Sequence, residues 1–440
     1  MSWKEEYKKK LCKAEDIAAM VKPGDRINLV GGINYPDEFC KALHKRINEL
    51  DDILIGVALS INTYDFMKPE FNKGQFKIET TFVGPGDRNM IKWGTGQYVP
   101  IHLHQVGAYC RSRNFNKIGF VTTLPDENGY VNRTAFAPLV TNEAIKNADM
   151  VFAEVNPNAY WLNSDDFKIH ISEIDHIIET DYPLLTLPPI PVTDIEQKIG
   201  EYVADMIPNG STVQVGFGGL ADAVANLLKT KKDLSLYAET YTTSMSELCK
   251  LGVVNGANNP LIPGIALASF AVGSKEMYQY VDKNKDLLFC ELGYLNDPVN
   301  IAKNKNLVGI NGTLCVDLTG QACSESLGFT QISGTGGQAD FARGISRSAN
   351  LNSENSKFIL AFDSVHTSKD GVRTSKIDIT LPPGSVVTTT RTDVDYIVTE
   401  YGVAHLRMKN LSQRAQALIN IAHPDFRDEL KSKAKKVHLI

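Results

Sequence analysis

Two stretches of the chain carry the same succession of apolar and polar positions. Ile17-Ala18-Ala19-Met20-Val21-Lys22-Pro23-Gly24-Asp25-Arg26-Ile27-Asn28-Leu29-Val30-Gly31-Gly32 reads as a helix, a turn, an apolar strand and a glycine turn. Val203-Ala204-Asp205-Met206-Ile207-Pro208-Asn209-Gly210-Ser211-Thr212-Val213-Gln214-Val215-Gly216 repeats that order in the second half. A helix-like stretch follows each glycine turn, Asp37 to Arg46 and Asp222 to Lys231. A further apolar strand comes next, around Ile53 to Leu59 and Leu234 to Ala238. Strands alternating with helices predict mainly parallel, helix-covered sheets. Val308-Gly309-Ile310, Phe358 to Phe362, Ser385 to Thr389 and Tyr396-Ile397-Val398 read as additional strands, and Leu411 to Ile421 as a helix. Tyr182-Pro183-Leu184-Leu185-Thr186-Leu187-Pro188-Pro189-Ile190-Pro191 cannot continue a helix or a central strand. The expected architecture is α/β, two similar open α/β domains spanning 1–190 and 191–440.

Length agrees with more than one core, since 440 residues exceed what a single ordinary core fills. Apolar content of 43% and charged content of 22% are those of a globular protein in water. A net charge of −5 gives no electrostatic case for nucleic acid. No apolar run is long enough to span a bilayer, and Met1 to Lys13 lacks the apolar middle of a signal peptide. The seven cysteines include no C-x-x-C pair, which argues against a disulfide framework. A reduced, cytoplasmic protein is expected, with no membrane partner.

The densest chemical signal is Gly216-Phe217-Gly218-Gly219-Leu220-Ala221 followed by Leu234-Ser235-Leu236-Tyr237-Ala238-Glu239. A glycine turn between strand and helix presents backbone N–H groups to an anion or a developing oxyanion. The next strand ends in one carboxylate, on the edge where α/β sheets hold ligands. Three readings are open at this point. Gly216-x-Gly218-x-x-Ala221 with Glu239 fits a dinucleotide fingerprint, as in an NAD-dependent oxidoreductase. Alternatively, Glu239 is a nucleophile and the loop its oxyanion hole. The third reading is a tight turn with a solvated acid. If the halves are copies, the counterpart of Glu239 falls near Leu59, so only the second copy carries the acid.

Ile332-Ser333-Gly334-Thr335-Gly336-Gly337-Gln338-Ala339-Asp340-Phe341-Ala342-Arg343-Gly344 adds a second glycine loop. A dinucleotide domain has no use for it this far down the chain. An acyl-transfer site does, because an N–H group from another loop can complete an oxyanion hole.

With both loops in view, the sequence resembles the acetyl-CoA hydrolase/transferase family, in its butyryl-CoA:acetate and 4-hydroxybutyrate CoA-transferase branch. The resemblance runs from Trp3-Lys4-Glu5-Glu6-Tyr7 to the end. Besides the loops it rests on Ala153-Glu154-Val155-Asn156 and His170-Ile171-Ser172-Glu173-Ile174-Asp175. It continues through Asp395-Tyr396-Ile397-Val398-Thr399-Glu400-Tyr401-Gly402 and Arg414 to Phe426. The chain departs from the family at Ala238-Glu239-Thr240, where Ser-Glu is common, and at Gly107, where proline is frequent.

The resemblance implies a CoA-transferase with Glu239 as nucleophile. It assigns Gly216, Phe217, Gly218, Gly219 and Leu220 to CoA and the oxyanion, and Gly336 or Gly337 to CoA or the second donor. Lys376 is a candidate partner for a CoA phosphate, or else a solvated lysine, and Asn311 is a weaker CoA-binding candidate. Coenzyme A enters as substrate, with no permanently bound cofactor and no metal. The partners implied are acyl-CoA and short-chain carboxylic acids, and the chain itself as a homodimer or homotetramer. A thioester hydrolase using the same glutamate is the alternative, and a non-catalytic CoA-binding protein a further one. Glu127 in Asp126-Glu127-Asn128-Gly129 is read as part of a turn. His102 and His104 alternate along one face without a third ligand, and His170, Glu173 and His176 are spaced too loosely for a zinc helix. Gly94-Thr95-Gly96-Gln97-Tyr98 reads as a pocket wall or a structural turn.

Overall fold

The computed structural model describes residues 2–188, 190–351 and 355–440. They fall into two compact units. The first holds the chain through Leu187 together with Ser269–Tyr294 and Ile332–Gly334; the second holds Pro188–Ala268, Leu295–Gln331 and Thr335–Ile440.

The first unit is built on a seven-stranded, wholly parallel sheet. Its strands are β1 (Arg26–Leu29), β2 (Ile53–Val57), β3 (Phe76–Thr80), β4 (Gly96–Tyr98), β5 (Lys117–Thr122), β6 (Met150–Val155) and β7 (His176–Glu179). Their order across the sheet is β4-β3-β2-β1-β5-β6-β7. Every residue of β2 and β5 is buried, as a strand covered by helices on both faces requires. Helix α1 (Asp37–His44) buries Phe39, Cys40, Ala42 and Leu43, and the Phe39 ring lies 4.3 Å from that of Phe152.

The second unit repeats the plan with six strands, β8 (Thr212–Val215), β9 (Ser235–Leu236), β10 (Leu307–Gly312), β11 (Lys357–Ala361), β12 (Tyr396–Thr399) and β13 (Gly402–His405). They lie in the order β9-β8-β10-β11-β12-β13, all parallel except the edge strand β13. Helix α2 (Asp194–Asp205) opens on a capping box between Thr193 and Glu196 and buries Ile199, Val203 and Ala204. Helices α3 (Gly219–Leu228), α4 (Gln338–Leu351) and α5 (Leu411–Ile421) each bury an apolar stripe at helical spacing. Strand order reverses at β8, whose chain neighbours β9 and β10 lie on opposite sides of it. The crevice beyond the carboxyl ends of β8 and β10 is therefore a topological switch point, where such sheets take ligands.

The fold class is the one expected, mixed α/β with mostly parallel, helix-flanked sheets. Two details differ. Helix α3 starts at Gly219 rather than Asp222, because Gly218 at φ +120° turns the chain directly into the helix. Ser385 to Thr389 is not a strand. The amides of Thr388 and Thr389 both donate to the single carbonyl of Ala322, at 2.9 and 3.1 Å, so no ladder forms. Pro382 and Pro383 precede the segment, and Val386 and Val387 are exposed.

Among the described residues no disulfide links any of the cysteines. Among the described residues, no helix is long and apolar enough to cross a membrane.

Candidate active site

Glu239 follows β9 and is held from three directions. Strand β9 is extended by Tyr237, whose amide donates to Val213 at 3.1 Å, and by Ala238, whose amide donates to Leu267 at 3.0 Å. The fully buried Tyr237 hydroxyl donates to the Leu295 carbonyl at 2.7 Å. That bond fixes the chain beside Asn296, whose Nδ2 donates to Glu239 Oε2 at 2.9 Å. The Gly337 amide, ahead of α4, donates to the same carboxylate. A Cβ at Gly337 would stand 1.9 Å from Glu239 Oε2 and 2.2 Å from Asn296 Nδ2. Only glycine lets the backbone approach so closely.

The carboxylate thus faces the N-terminus of a fourteen-residue helix and two hydrogen-bond donors. Burial nevertheless dominates. Loss of water pushes the Glu239 carboxyl from 4.5 up to about 7, with Asp340 adding to the rise and Asn296 and Gly337 opposing it. A carboxylate that is partly desolvated, aimed by neutral donors and poised near neutrality is suited to nucleophilic or acid–base chemistry.

The other expected residues divide in two. Gly216 to Leu220 stands at the carboxyl end of β8, with the Gly216 amide donating to Ile310 at 2.9 Å and the Phe217 side chain exposed. Its backbone leads into α3, whose N-terminus lies at the carboxyl end of β8. Asn311, at the end of the neighbouring β10, donates its Nδ2 to Gln214 Oε1 at 2.9 Å. Gly336 and Gly337 are both buried. Lys376 is engaged through its ammonium by Asp363. The counterpart position Leu59 has no acid, and its backbone is left-handed at φ +52°.

Glu127 is exposed in the Asp126–Gly129 turn, its carbonyl accepting from Trp3 Nε1 at 3.1 Å. The rings of His102 and His104 stack at 5.8 Å. Among the described residues no group of three or more metal-ligating side chains assembles. Gly94 caps the helix Pro85–Trp93 in the left-handed conformation, and Gly94 to Gln97 line an open cleft of 670 Å³ in the first unit.

Several motif residues turn out to be structural. Glu154 accepts from the Phe39 amide at 2.9 Å and the Tyr182 hydroxyl at 2.7 Å, and burial pushes its carboxyl up to about 7. Asp395 pairs with Arg407 at 2.9 Å and receives the Phe358 amide. Arg414 donates to the carbonyls of Lys409, Thr319 and Arg391.

Sequence reasoning missed Asn296. It lies in a turn before Asp297-Pro298, and Asp297 caps the next short helix. That spacing signals a helix start and says nothing of a partner 57 residues away.

The chain matches the models of the acetyl-CoA hydrolase/transferase N-terminal domain over residues 1–187 and C-terminal domain over residues 273–434. It is 38% identical to the succinyl-CoA:cyclohexane-1-carboxylate CoA transferase of Geobacter metallireducens, covering 100% of this chain and 98% of the relative. It is also 38% identical to the 4-hydroxybutyrate coenzyme A transferase of Clostridium kluyveri, covering 99% of this chain and 100% of the relative. Among solved structures, RipA from Yersinia pestis superposes with a TM-score of 0.90 at 30% identity, each chain covered in full.

Proposed function

This chain belongs to the acetyl-CoA hydrolase/transferase family and is a CoA-transferase, and from that premise we propose that Glu239 is its covalent nucleophile. The observation that carries the reading is the carboxylate of Glu239, half-buried, tuned to about 7 and held by Asn296 and Gly337.

The reaction moves CoA from a short-chain acyl-CoA to a free carboxylate such as acetate. Butyryl, 4-hydroxybutyryl, propionyl and acetyl groups all fit this chemistry. Asn296 holds Oε2, leaving Oε1 to attack the thioester carbonyl. The C–S bond breaks, CoA leaves as thiolate, and a mixed anhydride joins the acyl group to Glu239. The thiolate then attacks the glutamyl carbonyl, releasing the first acid and leaving a glutamyl-CoA thioester. The acceptor carboxylate runs both steps in reverse. One thioester replaces another, so the step is balanced without any additional reactant.

Each tetrahedral oxyanion needs donors set in advance. The N–H groups of Phe217 or Gly218 are candidates for one, with Gly219 and Leu220 on CoA, and those of Gly336 or Gly337 for the other. In the ground state Gly337 already holds the carboxylate, so one N–H group serves nucleophile and intermediate in turn. Asn311 and Lys376 are weaker CoA contacts. Lys376 must leave Asp363 to reach a phosphate.

In this reading the C-terminal domain, 191–440, carries the catalytic glutamate. The protein works in the cytoplasm, and its resemblance to the family implies a homodimer or homotetramer. A thioester hydrolase would differ only in letting water reach the anhydride or the glutamyl thioester. Initial rates with and without acceptor acid separate the two: a transferase consumes acyl-CoA in proportion to acceptor, a hydrolase without it.

A further inference from the structure

The second glycine loop is fixed from outside by a polar frame that neither the family resemblance nor the proposed chemistry uses. Gln338 is the first residue of α4 and follows Gly337 directly. Its Nε2 donates to Ser324 Oγ at 2.8 Å and to Thr389 Oγ1 at 2.9 Å. Those two bonds use both protons of the amide nitrogen. Ser324 Oγ in turn donates to Thr313 Oγ1 at 3.0 Å, and Thr313 Oγ1 donates to the Cys323 carbonyl at 2.9 Å. The Ser324 proton is thus already committed, so Ser324 can only accept from the loop. A second arm lies beside the first. The buried Glu325 accepts from Thr388 Oγ1 at 2.9 Å and Thr335 Oγ1 at 3.4 Å, while Thr388 Oγ1 accepts the Ser324 amide at 3.0 Å. Residues on both sides of Gly336-Gly337 are therefore tied to one frame made of 313–325 and 388–389.

The non-strand path of Ser385 to Thr389 acquires a reason here. A regular strand would alternate its side chains between two faces, whereas both Thr388 and Thr389 hydroxyls serve this frame.

We propose that Gln338 is a positioning residue whose carboxamide, clamped by Ser324 and Thr389, sets where the Gly337 amide meets Glu239 and so sets the proton affinity of that carboxylate. The proposal rests on the reading of Glu239 as nucleophile for its catalytic consequence. Its electrostatic consequence is independent of turnover. Gly337 is bonded covalently to Gln338, so a shift of Gln338 moves the amide that stabilises the charged form of Glu239. The ionisable neighbour acting on Glu239 is Asp340, on the first turn of α4, and it raises the carboxyl; the segment carrying Asn296 offers a neutral carboxamide. A retreating Gly337 amide therefore leaves burial and Asp340 less opposed, and the Glu239 carboxyl rises further above 7.

Gln338→Met keeps the length of the side chain and removes both bonds. Glu239 is titrated in two ways: from the acid limb of the kcat/KM profile, and from the pH dependence of the stability difference between each protein and the same protein carrying Glu239→Gln. Q338M is expected to move both upward by about half a pH unit or more. It should also lower kcat on the order of tenfold, with KM for acyl-CoA changed less than about threefold. Thr389→Val, which removes one of the two acceptors, is expected to move the limb the same way by less. A residue that merely stabilises the fold would scale the amount of active protein and leave the titration where it is. A folded Q338M with an unmoved titration overturns the proposal, and if Q338M does not fold, an unmoved titration in T389V does so. Failure of the nucleophile reading looks different: no covalent adduct on Glu239 in the unmutated protein, whatever the titration does.

Discussion

At the scale of single residues, Glu239 carries two opposing consequences. Its folded carboxyl at about 7 lies above the ordinary 4.5, so the folded protein binds a proton more tightly than the unfolded chain. Stability from this group is complete below about 4.5, falls as pH rises to about 7, and is flat beyond. Integrated over that window the loss is on the order of 3 kcal/mol. Glu239→Gln is therefore expected to be more stable than the parent above pH 7 by up to about that amount, in denaturant titrations at pH 5 and pH 8, with the difference falling to about 1 kcal/mol or less at the lower pH. The same substitution removes the nucleophile and is expected to lower kcat by more than about 10³-fold. Activity needs the carboxylate, so it should rise with pH through about 7. Gly337→Ala is the steric counterpart. Its methyl group would lie 1.9 Å from Oε2, and a displacement of about 1 Å at a reacting group costs roughly 10²-fold in rate. Steady-state assays should show that loss in kcat with a circular dichroism spectrum unchanged.

At the scale of elements, the site depends on an extension of β9 that is too short to be a strand. Tyr237 is the hook, since its hydroxyl holds the Leu295 carbonyl next to Asn296. Tyr237→Phe leaves a buried carbonyl without that donor and is expected to cost about 1–2 kcal/mol of stability. It should also lower kcat, because Asn296 is released; thermal unfolding and turnover read the two effects separately. Most of this architecture was legible in the sequence. Both glycine loops and the lone acid at a strand end stand out because backbone conformation demands glycine and because carboxylates seldom end buried strands. Asn296 was not legible, since its role arises from a hydrogen bond between distant turns and leaves no local pattern. Ser385 to Thr389 was misread for a related reason. Val386-Val387 looks like the middle of a buried strand, yet both are exposed, and the segment exists to hold hydroxyls against Ser324, Glu325 and Gln338.

At the scale of the whole molecule, the repeated pattern of apolar strands and glycine turns corresponds to two parallel sheets of related plan. Their divergence is equally informative. The second carries Glu239 where the first carries Leu59, in a left-handed conformation beside a serine. The short segments 269–294 and 332–334 belong with the first unit although they come late in the chain, and no periodicity in the sequence announces that. The dinucleotide reading rested on the spacing of residues 216–221 and 239 alone. In the fold that acid is held against Asn296 and Gly337, and calorimetry with NAD is expected to show no binding. The central claim, covalent catalysis by Glu239, is tested most directly by trapping. The protein is incubated with butyryl-CoA, treated with hydroxylamine or borohydride, and its peptides are mapped by mass spectrometry. The account predicts modification at Glu239 that is absent from Glu239→Ala; an unmodified Glu239 with several acyl-CoAs, or modification at Glu127 in its place, would contradict it.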